Sequence, residues 1–330
     1  MCNLTEENAS MPDSRYPLDL LKKLYETVFK IRLFEKKCCA LYRQGLINGY
    51  LHSYMGEEAI AAGACAAMQP GDYVASTHRG HGHCIANGAD LKAMMAEICG
   101  KETGYCLGRG GSMHIADFSL GNLGANGIVG GGIPLGVGAA LGARIRGSSR
   151  VTIIFLSDGA SNNGVFAESL NLAAIWNLPA VFMIENNGYA VSTPIEQTSR
   201  TTDLYKRAAG YLVESKQVDG NDALAVYEAA CRALEQCRKG QGPVVIEAKT
   251  YRHGGHHVND PGAYMPREKL EYYKARDPVE NMRKKLLEAD CAADAVLEME
   301  KRVETEIEAA VEHVKNSPEP SVEKFLEVCE

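Results

Sequence analysis

Asp158 and Asn187 offer a carboxylate and an amide carbonyl, the oxygen donors that a hard cation takes. A single carboxylate leaves a divalent ion net positive, so anionic ligands such as phosphate oxygens must complete its octahedron. Gly159, beside Asp158, would let a diphosphate approach the backbone. Histidines supply a second chemistry: His52 in GLINGYLHSYMGEE, the run THRGHGH from Thr77 to His83, and TYRHGGHHVNDPGAY from Thr250 to Tyr264. Imidazoles are the usual acid/base and phosphate-side donors of α/β clefts. Arg79 lies among them, and its planar fork suits a diphosphate and would repel a cation set beside it. A different class of function competes for the same side chains. His78, His81 and His83, completed by His253, His256 and His257, could hold zinc in a hydrolase. Against zinc, the run is H-x-x-H-x-H on a glycine loop, without an H-E-x-x-H helix or a dense acidic set.

The elements that must position these residues are legible. Val151 to Leu156 is an uninterrupted apolar run, as in a strand buried on both faces, and it stops at Asp158-Gly159. Val165 to Asn177 carries apolar residues at helical spacing, and Ala180 to Ile184 is a second buried strand ending at Asn186-Asn187. Strand, crossover helix and parallel strand put both strand ends on one sheet edge, ~4.8 Å apart, where open α/β sheets bind ligands. The competing structural account is an Asp that caps a helix and an Asn-Asn-Gly turn.

Elsewhere the spacing predicts helices over Leu18 to Tyr42, stopped by Gly45, and over Glu57 to Ala67, then a short strand from Tyr73 to Ser76. The glycine-dense Gly121 to Gly142 lacks the preceding strand of a dinucleotide fingerprint. It divides into a loop, Gly124 to Gly132, offering backbone groups to a flat heterocycle, and a helix from Pro134 to Arg146. Ser192 to Thr202 is polar and expected to be mobile, Asp222 to Lys239 is an amphipathic helix, and Pro243 to Thr250 is a buried strand. That strand delivers the last histidine loop to the same sheet edge. Charged helical patterns around Pro278 and from Ala292 to Val314 read as an outer layer. The expected division is an N-terminal helical arm over 1–50, an α/β core over 51–265 and a C-terminal helical extension over 266–330.

A formal charge of −7 argues against nucleic acid or an anionic membrane as the main partner. Eleven cysteines, an odd number with Cys38 and Cys39 adjacent and no C-x-x-C, fit a reduced intracellular chain. Without a targeting segment or an apolar run of membrane length, a soluble cytoplasmic protein is expected.

Asp-Gly, 26 residues from Ala160 to Glu185, then Asn-Asn resembles the thiamine-diphosphate motif, with Ser157 in place of its first glycine. Together with HSYMGEEA, STHRGHGH, GRGGSMH, GANGIVGGGIPLG, ENNGYA and TYR with a histidine loop ending DPG, the chain resembles the alpha subunits of the two-chain thiamine-diphosphate dehydrogenase components of the acetoin, pyruvate and branched-chain 2-oxo-acid complexes. The resemblance implies a three-layer thiamine-diphosphate-binding α/β fold, a mainly parallel sheet flanked by helices with N- and C-terminal helical additions. It implies Mg²⁺ held by the side chains of Asp158 and Asn187 and the backbone carbonyl of Tyr189, and diphosphate held near His78, Arg79, Gly159 and Ala160. Gly127 and Val129 would hold the aminopyrimidine through their backbones, and His52 would face cofactor and substrate. His256, or His257 on an alternative alignment, would be the active-site histidine, with His52 and His81 as nearby donors. His257 also stands where mitochondrial members carry a regulatory serine, which disfavours kinase control there.

The implied reaction cleaves acetoin to a hydroxyethyl-thiamine intermediate and passes the acetyl unit to the lipoyl group of an acyltransferase component. Pyruvate ranks behind acetoin as substrate, and branched-chain 2-oxo acids third. The carboxylate that activates the aminopyrimidine is not found in this chain. In the family it comes from a beta subunit, which implies an α2β2 heterotetramer.

Overall fold

Apolar side chains at consecutive strand positions need cover on both faces of a sheet, and the fold supplies it. The computed structural model describes residues 16–327. Its helices are α1 Leu18–Arg43, α2 Glu58–Ala66, α3 His81–Ala86, α4 Leu91–Ile98, α5 Gly132–Ile145, α6 Gly164–Ile175, α7 Ile195–Thr198, α8 Ala223–Arg238, α9 Arg267–Lys274, α10 Pro278–Glu288, α11 Ala293–Asn316 and α12 Val322–Glu327. Its strands are β1 Tyr73–Ala75, β2 Thr152–Ser157, β3 Ala180–Asn186, β4 Tyr189–Ala190, β5 Thr193–Pro194, β6 Glu214–Asp219 and β7 Val244–Lys249. Five strands form one sheet in the order β1-β2-β3-β7-β6, with every neighbouring pair parallel.

The strands feed two cores. Ile153, Phe155, Val181, Met183 and Ile246 pack with Ile60 and Ala64 of α2 and Val226, Ala230 and Leu234 of α8. Ile154, Leu156, Phe182, Ile184 and Val245 face the other way, onto Val137 and Ala140 of α5 and Phe166 and Leu170 of α6. Helix, sheet and helix make a three-layer α/β architecture. Close packing of the second layer needs Gly136, where a Cβ would fall 2.5 Å from Ile154. Asn163 caps α6 by accepting from the Val165 N–H, and Asp222 caps α8 by accepting from Leu224 and Ala225.

The terminal helices pack over the layers. Leu21, Leu24, Tyr25 and Val28 of α1 share a cluster with Ala59 and Ala62 of α2, Met282 of α10 and Val296 and Met299 of α11. Among the described residues no helix is long and apolar enough to cross a membrane.

One strand has no counterpart in the sequence expectation, and one segment differs from it. Residues 214–219, ESKQVD, pair with β7 as an edge strand, where a largely polar sequence is tolerated because only one side is hydrogen-bonded to a neighbour. Ser192 to Thr202, expected as a mobile loop, contains β5 of a small hairpin and α7. Ile195 is buried and donates its N–H to the Gly188 carbonyl, and Asn186 Nδ2 donates to the Thr202 carbonyl, so the segment is tied down at both ends.

The chain passes from β3 to the outer strand β6 and returns to β7. That reversal of winding puts α8 and α6 on opposite faces, and the carboxyl ends of β1, β2, β3 and β7 open onto one edge.

Candidate active site

A cleft with about 820 Å³ of empty space, partly open to solvent, occupies that edge. Each strand end contributes to its wall: Thr77, His78 and Arg79 follow β1, Ser157 and Gly159 end β2, Glu185 and Asn187 end β3, and Arg252 and His256 follow β7. His52 and Glu57 enter from the loop before α2, and Gly127 and Val129 from the glycine-dense loop before α5.

The loop before α2 is laid along the chain beyond β7. Thr250 Oγ1 donates to the Gly56 carbonyl at 2.9 Å, and the His253 N–H donates to the Met55 carbonyl at 3.0 Å. At Gly56 the backbone takes φ +101° and passes so near Tyr251 that a Cβ would stand 2.3 Å from its carbonyl oxygen. Only glycine meets both conditions.

Asp158 is buried between two wall residues. Its Oδ1 accepts from the Gly159 N–H at 2.8 Å, while Oδ2 is buried with no partner. Burial pushes its carboxyl up to about 6, with neighbouring N–H groups, Arg252 and Arg79 opposing the rise. A buried carboxylate oxygen without a partner is a position for a cation. Asn187 adds an amide whose Oδ1 accepts from the Tyr189 N–H at 3.2 Å. Asp158, Asn187 and the Tyr189 carbonyl thus supply oxygen donors of the kind that magnesium takes.

Arg79 is buried and donates to the backbone carbonyls of Ser53 and, at 3.0 Å, of His256. Burial lowers its affinity for a proton, opposed chiefly by Glu57. An anion in the cleft would relieve that cost. Burial likewise pushes Glu57 up to about 8, against the pull of Arg79.

The histidines divide. The ring of His52 lies 4.8 Å from those of His78 and His256, and the nitrogens of the three come within 4.8 Å of one another. Burial, reinforced by Arg79, lowers His52 to about 3 and His256 to about 4, and depresses His78 as well, so the rings are neutral at pH 7. His256 is gripped at three points: Asp260 Oδ2 accepts its N–H at 2.6 Å, Arg79 takes its carbonyl, and Arg252 Nη1 lies 3.2 Å from its Nδ1.

His81 does not join them. It is buried in α3, with Nδ1 3.0 Å from Glu35 Oε1 and Nε2 2.8 Å from Ser112 Oγ, so both nitrogens are engaged behind the wall. It is expected as a nearby donor but stands outside the cleft wall, with Glu35 and Ser112 at its two nitrogens. The zinc set disperses for the same reason. His83 lies between Ser76 and Glu185 and stacks on Phe155, and His253 lies 3.6 Å from Asp277. Of that set His78 and His256 meet with their rings 5.5 Å apart, the His257 ring stands 6.3 Å from that of His256, and Arg79 and Arg252 flank them with charges that oppose a bare divalent ion.

Asp158 and Ala160 lie just behind the wall, whereas His52, His78, Arg79, Gly127, Val129, Gly159, Asn187, Tyr189 and His256 line it. Ser157 turns its hydroxyl to the Ala160 N–H at 3.1 Å. Glu57, Glu185 and Arg252 escaped the sequence reading. A charge directly after the apolar run of β3 was the visible signal for Glu185, whose Oε1 accepts from the Tyr54 hydroxyl and lies 3.0 Å from His83 Nε2.

A family model described as dehydrogenase E1 component matches residues 26–323. The alpha subunit of acetoin:2,6-dichlorophenolindophenol oxidoreductase from Bacillus subtilis (strain 168) is 48% identical over 304 residues, 92% of this chain and 91% of that protein. Its Cupriavidus necator counterpart is 45% identical over 322 residues, 96% and 97% of the two chains. The pyruvate dehydrogenase E1 component subunit alpha of Zymomonas mobilis is 39% identical over 307 residues, 92% and 87% of the two.

Proposed function

The chain belongs to the dehydrogenase E1 component family, and we propose that it is the thiamine-diphosphate-dependent alpha subunit of an acetoin dehydrogenase, an oxidoreductase acting with a beta subunit. The observation that carries the acetoin reading is graded likeness: 48% and 45% identity to alpha subunits named for acetoin against 39% to one named for pyruvate, each across nearly the whole chain.

Thiamine diphosphate supplies, when bound, a thiazolium carbon that attacks a carbonyl and stores the resulting electron pair. The chain's own residues bind, orient and move protons. Asp158 and Asn187, with the Tyr189 carbonyl, would hold Mg²⁺, a reading supported by the unpartnered Asp158 Oδ2. Arg79, with His78, Gly159 and Ala160, would hold the diphosphate, and the backbones of Gly127 and Val129 the aminopyrimidine. His256 accepts from Arg252 at Nδ1, so its proton resides on Nε2, ready for donation to an acyl oxygen. His52 would stand beside it as a second neutral imidazole.

The carboxylate that activates the aminopyrimidine would come from the beta subunit in an α2β2 assembly. Both acids lining the cleft already have partners: Glu57 accepts from Asn187, and Glu185 from Tyr54. The acetyl unit would leave to a lipoyl-bearing acyltransferase. Pyruvate is the second reading, favoured by the Asp260-Pro261-Gly262 turn, which resembles pyruvate enzymes and whose Asp260 fixes His256.

Calorimetric titration of thiamine diphosphate with Mg²⁺ into the chain plus its beta partner tests the cofactor site. Binding is expected for the wild type and is lost in Asp158→Ala. Turnover of acetoin and pyruvate with an artificial electron acceptor then decides the substrate. Faster turnover of pyruvate would overturn the acetoin reading, and absence of cofactor binding by the wild-type pair would overturn both.

A further inference from the structure

The adjacent glutamates at the start of α2 point in opposite directions. Glu58 pairs with Arg32, which also reaches Asp277. Glu57, with about 1% of its surface exposed, turns into the cleft. Its Oε1 accepts from Asn187 Nδ2 at 3.0 Å and stands 4.0 Å from Arg79 Nε.

Asn187 is held from two sides in one consistent orientation, because Oδ1 accepts from the Tyr189 N–H while Nδ2 donates to Glu57. The alternative rotamer would exchange the carbonyl for N–H₂, which cannot ligate a cation. Glu57 also faces Arg79 with the same oxygen, so one carboxyl group couples the amide offered to the cation with the guanidinium offered to the diphosphate. The position of Glu57 is itself fixed, since Gly56 is anchored by Thr250 and packed against Tyr251 with no room for a side chain.

We propose that Glu57 is a positioning residue of the cation site: by accepting from Nδ2 it holds Asn187 with its carbonyl oxygen available to the ion. The inference deepens the magnesium reading of Asp158 and Asn187 and rests on it.

Mn²⁺ serves as the probe, titrated by electron paramagnetic resonance into the chain assembled with its beta partner in the presence of thiamine diphosphate. Groups that orient a metal ligand contribute about 10–100-fold to metal affinity, so Glu57→Ala is expected to weaken Mn²⁺ binding by that factor. Glu57→Gln keeps an acceptor for Asn187 and is expected to bind Mn²⁺ within about threefold of wild type. Its rescue separates the hydrogen bond from both the charge and any general loss of structure, which thermal unfolding without ligands monitors. Wild-type affinity in Glu57→Ala, or equal weakening in Glu57→Gln, would overturn the positioning role. If the wild type binds no Mn²⁺, or Asp158→Ala binds it undiminished, the magnesium reading falls and the inference with it.

Discussion

Arg252 sets Nη1 3.2 Å from His256 Nδ1, and because a guanidinium only donates, it fixes the tautomer of the ring. Arg252 is itself buried and further held by the Val191 carbonyl at 2.9 Å and the Tyr264 hydroxyl at 3.2 Å. Arg252→Gln should release the ring. Proton transfer by a positioned group is worth about 10²–10⁴-fold, so a fall in kcat of about 100-fold is expected, with the Kd for thiamine diphosphate changed by less than about threefold. Steady-state kinetics and calorimetry on the same preparation check this. An equal loss in both would assign Arg252 to cofactor binding instead.

Asp158 costs stability when no cation is present. Its carboxyl is raised from the ordinary 3.8 to about 6 by burial, so the folded state binds more protons than the unfolded chain between those values. Stability from this group is therefore full below about pH 4 and is lost as pH rises through 6. The span corresponds to roughly 3 kcal/mol at pH 7. Asp158→Asn should melt at a higher temperature than wild type in the presence of a chelator at pH 7. Mg²⁺ with thiamine diphosphate should raise the melting temperature of the wild type alone.

The neutral histidines give the opposite dependence. His52 is lowered to about 3 and His256 to about 4 from an ordinary 6.5, so the unfolded chain binds more protons in that interval. Their contribution is complete above pH 6.5 and is lost as pH falls toward 4. Each imidazole contributes less than the full proton-linkage slope over that interval, because both rings keep part of their surface in water and solvent screens the cost. Urea unfolding from pH 7 to 5 should show a shallower loss for His52→Asn than for wild type. Parallel profiles would contradict the depressed value.

Gly56 and Gly138 should respond to alanine in opposite ways. At Gly56 the φ of +101° and the Tyr251 carbonyl 2.3 Å from a Cβ leave no relaxed conformation. Gly56→Ala should cost about 2–4 kcal/mol and disturb Glu57 next to it. Gly138 lies within α5 with nothing within 4 Å of a Cβ. Gly138→Ala should stabilise the chain by up to about 1 kcal/mol through helix propensity. Melting temperatures of the two variants, measured together, decide the point.

The sequence by itself determined the central βαβ unit, because parallel strands covered on both faces need apolar residues at every position, as Val151 to Leu156 and Ala180 to Ile184 have. It also determined that Asp158 and Asn187 end neighbouring strands, since a short crossover leaves few other pairings. Helix limits at Leu18, Asp222 and Ala292 followed from periodicity within a residue or two. Tertiary structure alone decided which histidine faces the cleft. His81 and His256 both sit in glycine-rich histidine runs, yet α3 turns His81 onto Glu35 and Ser112, the first of these contacts set by packing of α1 against α3. It alone decided the partner of Glu57 as well, because the hydrogen bond to Asn187 spans 130 residues and exists only once the loop before α2 lies along the end of β7. Periodicity reports which face of an element is buried. It carries no information on which polar group from a distant segment will meet a side chain there, and that meeting fixed the chemistry of this cleft.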